Sequence, residues 1–590
     1  MSFESLFTPT SSMDGYLAHG WAPEYGEGSP ASLISTASPP GMEHSDNHSN
    51  QEDSNNIQEH DNGVQEDDNS GLDFGPGRLM CIIPGTPAPG EQLQNVNWKG
   101  LDLSSIEPQG SHVRILMLPM TEGVSISPYG GQASCYNWVQ VGMMDPGSMP
   151  AKLLAVVPTS DQVGCCITYG DARYIMYFDP SDDRLIFRNK YRDQVDIAQL
   201  YGGNMITVEG KGSATLKPSE WVIMSASSGF LVEFKLLRRK TWNITASFSA
   251  KRSVEEPTVL PKKARLSAKL SVIRAATLEG ASSNNPLLTL ERGEVINVGA
   301  GNDSYQLTRE APIADHQCSS VWQGKHSEIP GKAVVTKVIK AGSRQKDATV
   351  QSAEVWLREV SIHSSIGHHY AIVPYLGCDA RFHCIYTEHV DAEALIYHVK
   401  PGTNEFNGNG VRTWRVLGDI ASALSFLHGN NIVHGDVRLD NILFNPVRGA
   451  TLIDFNLSFK EGHPLKGVGA PWYLPPEYLQ DHNLRGVASD MWGLGVVMLW
   501  LLGHVPMPEG ETGWRIADLH PDGPIQEVHM EAQKAMEKWL NVIRGARLDL
   551  KRREEEIAIV VETLVEEEQD HRPEAKSLVQ QLAKCNLLWE

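Results

Sequence analysis

Asp436, Asn441 and Asp454 are the side chains of this 590-residue sequence whose types and spacing could carry chemistry. Asp436 closely follows the apolar pair Ile432 and Val433 and lies in VHGDVRLDNILF (433–444). Asn441 comes five residues later, and Asp454 sits in LIDF (452–455). An Asp just past a strand end can orient a hydroxyl nucleophile, while an Asn five positions on and a second Asp on the next hairpin can hold Mg²⁺ against nucleotide phosphates. His-x-Asp strings and Asp-Phe pairs each arise by chance. Here they arrive together, flanked by the β-type pairs Ile432 and Val433, Ile442 and Leu443, and Leu452 and Ile453, which argues for a phosphoryl-transfer site rather than coincidence.

These segments resemble the catalytic loop and metal-binding hairpin of the eukaryotic protein kinase superfamily, and the motifs further on follow the same order. GAPWYLPPEYL (469–479) is similar to the end of a kinase activation segment, with Glu477 at the Glu of the A-P-E motif. SDMWGLGVVMLWLL (489–502) resembles the buried helix whose Asp, here Asp490, braces the catalytic loop. DHRP (570–573) supplies Arg572 as the implied partner of Glu477. The resemblance implies a bilobal α+β fold, with a β-rich N-lobe and an α-helical C-lobe.

The elements that must position the site can be read upstream. GKAVVTKVIKAG (331–342) alternates as a strand does, and the resemblance puts Lys337 where the family grips the α- and β-phosphates. Lys340 is the other candidate, but three residues of offset turn it to the opposite face. In EVWLREVSIHSSI (354–366) the spacing of Val355, Leu357, Val360 and Ile362 predicts an amphipathic helix. Glu359 on that helix falls where the family places the lysine's ion-pair partner; taken alone it would read as a solvated helix carboxylate. CIYTEHVDAEAL (384–395) reads as the strand entering a hinge, with Thr387 guarding the adenine pocket and Glu388 and Val390 on the hinge, where backbone groups bind the base.

Several departures from the family pattern bear on mechanism. IADHQCSSVW (313–322) stands in place of the glycine-rich loop and contains no glycine, the residue that lets backbone amides approach phosphate most closely. Asn456 replaces the glycine of the metal hairpin and is expected to tolerate positive φ there. Gly435 takes the place of the Arg that, in the family, meets a phosphorylated activation loop. Between Asp454 and Glu477 the hydroxyls are Ser458 and Tyr473, and Ala470 stands where serine/threonine kinases usually have Thr. Acceptor and basic receptor are thus both missing, which predicts activity without activation-loop phosphorylation. Arg438, two places past Asp436, keeps a positive charge beside the transferring phosphoryl group.

Charge is unevenly spread. Residues 1–77 hold fourteen Asp and Glu and no Lys or Arg, so two-thirds of the net charge of −21 sits in one stretch rich in Ser, Gly, Pro and Asn. Such a segment cannot bury enough apolar surface to offset its ordering entropy and is expected to be a disordered acidic tail, either a solvating tether or an interaction segment. The eight cysteines (Cys81, Cys135, Cys165, Cys166, Cys318, Cys378, Cys384 and Cys585) show no paired metal spacing, and no signal-like segment opens the chain. They read as reduced thiols of an intracellular protein, cytoplasmic or nuclear. The longest apolar run, around 493–502, is too short to span a bilayer. Neither a membrane nor a nucleic-acid partner is expected.

From 108 to 240, short alternating segments such as VRILMLPM (113–120), RYIMYFDP (173–180), RLIFRN (184–189) and FLVEFKLL (230–237) are punctuated by turn residues, the pattern of an antiparallel β-sandwich. The block YIMYFDPSDDRLIFRN with EWVIMS (220–225) faintly resembles the second half of a forkhead-associated domain, a phosphothreonine reader. Its phosphate-holding motifs are absent, and Asn189 has an equivalent only by loose alignment. An interaction module is expected, with a phosphoprotein as one candidate partner. Residues 241–285 read as a basic linker, either a localisation signal or a partner for the acidic tail, and 300–590 as the kinase domain. The charged stretch 513–568 reads as helical cladding with solvated faces. The whole organisation resembles fungal kinase-like proteins with variable N-terminal regions.

Three functions fit these residues. The first is a serine/threonine protein kinase using ATP and Mg²⁺, with Asp436 and Arg438 catalytic, Lys337, Glu359, Glu388, Val390, Asn441 and Asp454 on the nucleotide, and Asn441 and Asp454 on the metal. The second is a pseudokinase scaffold, favoured by the glycine-free lid and Asn456. The third is a small-molecule phosphotransferase related to aminoglycoside and choline kinases, which share His-Gly-Asp with an Asn five residues after the Asp but lack the peptide platform that the Pro-Pro-Glu, SDMWGLG and DHRP elements build.

Overall fold

The computed structural model describes residues 113–130, 138–143, 151–225, 229–239, 243–246, 273–275, 285–299, 304–342, 347–463, 465, 468–481, 485–511, 513–519 and 526–584. The acidic tail, Cys81, Cys135, Cys585 and most of the basic segment lie outside these residues.

The N-terminal region consists of β1 (Ile115–Pro119), β2 (Ser125–Tyr129), β3 (Trp138–Met143), β4 (Ala151–Val156), β5 (Gly164–Tyr169), β6 (Ala172–Phe178), β7 (Leu185–Asn189), β8 (Val195–Gln199), β9 (Met205–Val208), β10 (Ser213–Leu216), β11 (Glu220–Ser225) and β12 (Gly229–Leu236). They form two antiparallel sheets, ordered β3-β4-β1-β12-β11-β8-β9 and β10-β7-β6-β5-β2. Alternation along each strand sends Met117, Trp221 and Phe234 of one sheet and Ile167, Met176 and Phe187 of the other into a shared core. The sequence pattern misses β2, β3, β8, β9 and β10. Of these, β9 and β10 have four residues and one buried side chain each, too little alternation to register.

The next sheet runs β14-β13-β15-β16-β17-β18-β20-β19. It comprises β13 (Asn243–Ala246), β14 (Ile273–Ala275), β15 (Glu294–Val298), β16 (Tyr305–Asp315), β17 (Ser319–His326), β18 (Val334–Ile339), β19 (Tyr375–Asp379) and β20 (Cys384–Glu388). The reading of 241–285 as linker therefore needs correction, because β13 and β14 extend this sheet through Ile244 paired with Ile296 and with Arg274. The lobe also starts before residue 300: β15 is in the sheet, and the short helix α1 (Pro286–Thr289) seats Leu287 in its core. Strands this short take their stability from an existing sheet edge, which local composition does not register. The helix α2 (Ala348–His363) packs on this sheet, and Trp356 Nε1 donates to the Cys384 carbonyl at 2.9 Å.

The helical lobe contains β21 (Glu393–Ala394), α3 (Gly410–Gly429), β22 (Ile432–Val433), β23 (Ile442–Asn445), β24 (Gly449–Leu452), β25 (Phe459–Lys460), α4 (Val487–Leu501), α5 (Gln526–Leu550), α6 (Glu556–Leu564) and α7 (Ala575–Lys584). Helix α4 is buried from Asp490 to Leu501, as an apolar surface on all sides requires. Gly493 allows it to lie against the catalytic loop, since a Cβ there would come within 2.8 Å of the Val437 carbonyl. The charged residues 551–556 are exposed, as expected of a solvated face, but Arg547 of α5 pairs with Glu562 of α6 and with Glu566, and Arg544 of α5 pairs with Glu567 at 2.7 Å, tying α5 to α6 and the turn after it. Among the described residues no helix is long and apolar enough to cross a membrane.

Candidate active site

Strand β18 carries Lys337 into the cleft between the lobes, and α2 brings Glu359 to it. Lys337 Nζ lies 2.8 and 2.9 Å from the two Glu359 carboxylate oxygens and 2.6 Å from Asp454 Oδ1. The Glu359 side chain is only 3% exposed, whereas Asp454 keeps 27%. Burial works against charge on all three groups. Asp454 and Glu359 outweigh it at Lys337, holding the ammonium above its ordinary range. Burial raises Glu359, while at Asp454 the neighbouring Lys337 overcomes burial and holds the carboxyl below its ordinary range.

The turn after β24 differs from expectation. Asn456 does not take positive φ; Asp454 does, at 65°. The bend comes two residues early, so no glycine is required at 456, and the left-handed backbone at Asp454 carries strain of order 1–3 kcal/mol, as functional turns often do. The Asn456 amide donates to Asp454 Oδ1 at 3.3 Å.

In the catalytic loop, Asn441 Nδ2 donates to the Asp436 carbonyl at 2.9 Å and to Asp436 Oδ2 at 2.8 Å. That fixes Asp436 and leaves the Asn441 side-chain carbonyl as the atom a cation can use. Asn441 and Asp454 meet because β23 and β24 form a hairpin, with Ile442 opposite Leu452 and the Ile453 amide donating to the Asn441 carbonyl at 2.9 Å. Arg438 lies 3.2 Å from Asp436 Oδ2 and 3.0 Å from Asp440 Oδ2. Beneath the loop, Asp490 accepts from the amides of His434 and Gly435 at 2.8 Å and lies 2.9 Å from His428 Nε2. Burial would raise its pKa, but His428 and these other donors hold it below the ordinary carboxylate range.

Gly435 has φ +78°, and a Cβ there would lie 2.5 Å from the Leu457 carbonyl, so the family's Arg does not fit this loop as it stands. A different arginine takes up the connection. Arg485, 8% exposed, donates through Nη2 to the Gly435 carbonyl at 2.5 Å and through Nη1 to the Val468 carbonyl at 2.7 Å, joining catalytic loop and activation segment. Neither candidate acceptor is available for modification: Ser458 is fully buried and donates to the His434 carbonyl at 2.8 Å, and buried Tyr473 donates to Glu509 Oε1 at 2.7 Å. Burial, with Asp440 nearby, pushes the Glu509 carboxyl up to about 7. Sequence reasoning missed Arg485 and Glu509. Neither belongs to a spaced motif, and only the fold brings them to the loop.

On the nucleotide side, the turn between β16 and β17 closes through the His316 amide to the Ser319 carbonyl at 2.8 Å, and Lys340 Nζ pins it through the His316 carbonyl at 2.6 Å and Asp315 at 2.8 Å. Lys340 thus serves the lid and Lys337 the site. Thr387 lies opposite Val335 and Tyr375; Glu388 pairs with Lys332 at 2.6 Å, and Val390 is buried against the C-lobe core. Among the described residues no three His, Cys, Asp or Glu side chains are grouped to hold a metal alone. Asn441 and Asp454 offer two oxygen donors, which fits Mg²⁺ completed by nucleotide phosphates and water. The Glu477–Arg572 pair is doubly bonded, at 2.7 and 2.6 Å, with the guanidinium over Trp492. In the sandwich, Asn189 is buried, and its amide donates to the carbonyls of Asp193, Val208 and Glu209 rather than facing outward.

Residues 311–582 match the family described as the protein kinase domain. This part of the chain is a protein kinase domain of the eukaryotic protein kinase superfamily. Similar proteins include CBL-interacting protein kinase 25 of Oryza sativa subsp. japonica, 26% identical over 242 residues, or 39% of this chain and 43% of the relative. Mitogen-activated protein kinase kinase kinase YODA of Arabidopsis thaliana is 31% identical over 185 residues, covering 30% of this chain and 20% of that protein. RAC-beta serine/threonine-protein kinase of Rattus norvegicus is 33% identical over 128 residues, covering 21% and 26%. The chain thus spans less than half the length of each of these relatives.

Proposed function

We propose that the kinase domain transfers the γ-phosphoryl group of ATP to serine or threonine hydroxyls of a protein substrate without prior phosphorylation of its activation segment. The observation that carries this is the joint assembly of the Lys337–Glu359–Asp454 cluster with the hydrogen-bonded Asp436–Asn441 pair. ATP supplies the phosphoryl group, and Mg²⁺ offsets its charge. Lys337 neutralises phosphate oxygens, held in place by Glu359; Asn441 and Asp454 hold the metal. Asp436 orients the substrate hydroxyl and takes its proton, and Arg438 balances charge beside it. The serine/threonine class rests on similarity to relatives such as the RAC-beta serine/threonine-protein kinase. Independence from phosphorylation is supported by burial of Ser458 and Tyr473 and by Arg485, which already joins the segments that a phosphate would join.

The pseudokinase reading is favoured by one observation, the glycine-free lid, whose turn is pinned by Lys340. A thermal-shift titration of the full chain with ATP, with and without Mg²⁺, beside Asp454→Ala and with γ-phosphoryl transfer to a generic peptide followed in parallel, separates the two. Metal-dependent stabilisation lost in the variant, together with transfer, supports the enzyme. No shift at millimolar ATP refutes it in favour of a scaffold. Phosphatase-treated and untreated full chain, in turn, are expected to transfer at the same rate if phosphorylation is dispensable.

A further inference from the structure

The five-stranded sheet of the sandwich is apolar on both faces. Along β5, β6 and β7, Cys165, Ile167, Tyr174, Met176, Leu185 and Phe187 point into the sandwich core, which leaves the alternate residues Cys166, Ile175, Tyr177 and Ile186 on the outer face. An antiparallel sheet with one solvated face would carry polar residues there. Here the outer face is covered by the kinase lobe: its residues form a single core with Val350, Ala353 and Trp356 of α2 and with Ile339 and Ile385 of the N-lobe sheet.

Polar contacts fix the register of this packing along the N-terminal half of α2. Tyr129 and Tyr177 both donate to Glu354 Oε1, at 3.0 and 2.5 Å. Burial and the Glu354 charge push both phenols well above their ordinary range, so they remain donors. Asp347, the N-cap residue of α2, makes no capping bond to its own helix; its carboxylate instead accepts from Arg188 at 3.0 Å and from Ser213. Thr349 donates to Asp179 at 3.3 Å. Gly130 allows the close approach, because a Cβ there would come within 2.4 Å of Leu357 Cδ2. A second tie runs from the Ala380 amide to the Ser160 carbonyl at 2.7 Å, beside β19.

Glu359 lies five residues beyond Glu354, roughly 7.5 Å along the helix axis and on another side of it. One side of α2 is therefore gripped by the sandwich while another presents the carboxylate that holds Lys337. We propose that the sandwich is the positioning device for Glu359, with Tyr129, Tyr177, Arg188 and Ser213 as positioning residues that hold the Lys337–Glu359 pair closed. This rests on the kinase reading only for its consequence in turnover, since the grip on the helix is a separate property. It also accounts for an activation segment whose hydroxyls, Ser458 and Tyr473, are both buried: the helix that a phosphorylated segment would otherwise help to settle is settled from behind.

The test uses the full chain and the variant Y129F/Y177F, which keeps both rings but leaves Glu354 without donors. Hydrogen exchange of the α2 amides (residues 352–363) is expected to quicken at least tenfold, while β1, β11 and β12 in the other sheet of the sandwich keep their protection. kcat for phosphoryl transfer should fall at least tenfold with the KM of the peptide unchanged. Adding Glu354→Met, which removes the stranded carboxylate and restores apolar packing, should recover both protection and kcat. Should the double variant unfold the sandwich, R188A/S213A is the deciding variant and is expected to loosen the first turns of α2 alone. Unchanged α2 exchange in a folded variant overturns the proposal, as does a kcat loss that Glu354→Met does not rescue. If the wild-type chain transfers no phosphate, the kinase reading fails, and the exchange data still decide the grip.

Discussion

Replacing Lys337 by methionine isolates the electrostatics of the cleft. The substitution conserves length and apolar stem but leaves two carboxylates facing each other, one almost fully buried. Removing one partner of a buried pair costs about 3–5 kcal/mol, and the lower end applies because Asp454 keeps access to solvent. At roughly 2–4 °C per kcal/mol, the N-lobe transition of K337M should fall by about 6–12 °C at pH 8. The sign with pH follows from Glu359, whose carboxyl is already raised by burial and loses its counter-charge in the variant. A raised folded-state pKa means the folded chain holds the proton longer than the unfolded one, so the deficit grows as pH climbs above the unfolded value and shrinks towards pH 5. Melting curves of wild type, K337M and K337M/E359M between pH 5 and 8 check this. Replacing both partners should return most of the loss. A single variant as stable as wild type at pH 8, or a double variant no better than the single, refutes the reasoning.

Three further outcomes follow from the same geometry. Gly435→Arg should destabilise the domain by about 2 kcal/mol or more in urea unfolding, because positive φ and the Leu457 carbonyl both oppose a side chain, and it should not confer a response to activation-segment phosphorylation. Glu509, pushed up to about 7, should make stability decline as pH rises from about 4.5 to 7, by up to about 1.4 kcal/mol per pH unit, and Glu509→Gln should flatten that slope in a pH series of denaturation curves. Glu477→Ala strands the buried Arg572 guanidinium and should cost about 3–5 kcal/mol, whereas replacing both partners by apolar residues should cost less; calorimetry of the two variants would show the opposite order if the pair were merely additive.

The lower lobe was legible because its chemistry is written in contiguous runs. Asp436 and Asn441 share one loop, Asp454 follows on the next hairpin, and the apolar residues around them form the strands that the reading required. The resemblance puts Lys337 at the phosphates, alternation puts Lys340 on the opposite face, and the structure sends Lys340 to the lid. Glu359 was harder, because a helix carboxylate looks solvated until something covers it. The same limit hid β13 and β14, which are strands only because a sheet edge lies beside them. It also misassigned the left-handed turn residue, since which residue bends at the end of β24 depends on what the Asp454 side chain bonds, not on which residue best tolerates positive φ.

By itself the sequence determined the kinase fold of the second half, the order of the lobes and the sandwich strands with strong alternation, because those depend on residue type, period and separations along the chain. Tertiary structure decided the rest. It alone brings Arg485 to Gly435, buries Ser458 and Tyr473, and turns the second face of the five-stranded sheet into a seat for α2. The run RYIMYF reads in the sequence only as one alternating segment; its apolar residues line both faces, Tyr174 and Met176 on one and Ile175 and Tyr177 on the other, but period 2 says only that two faces exist. What covers the second face is a contact across more than 170 residues of chain, as between Tyr177 and Glu354, and that is fixed by packing rather than by local pattern.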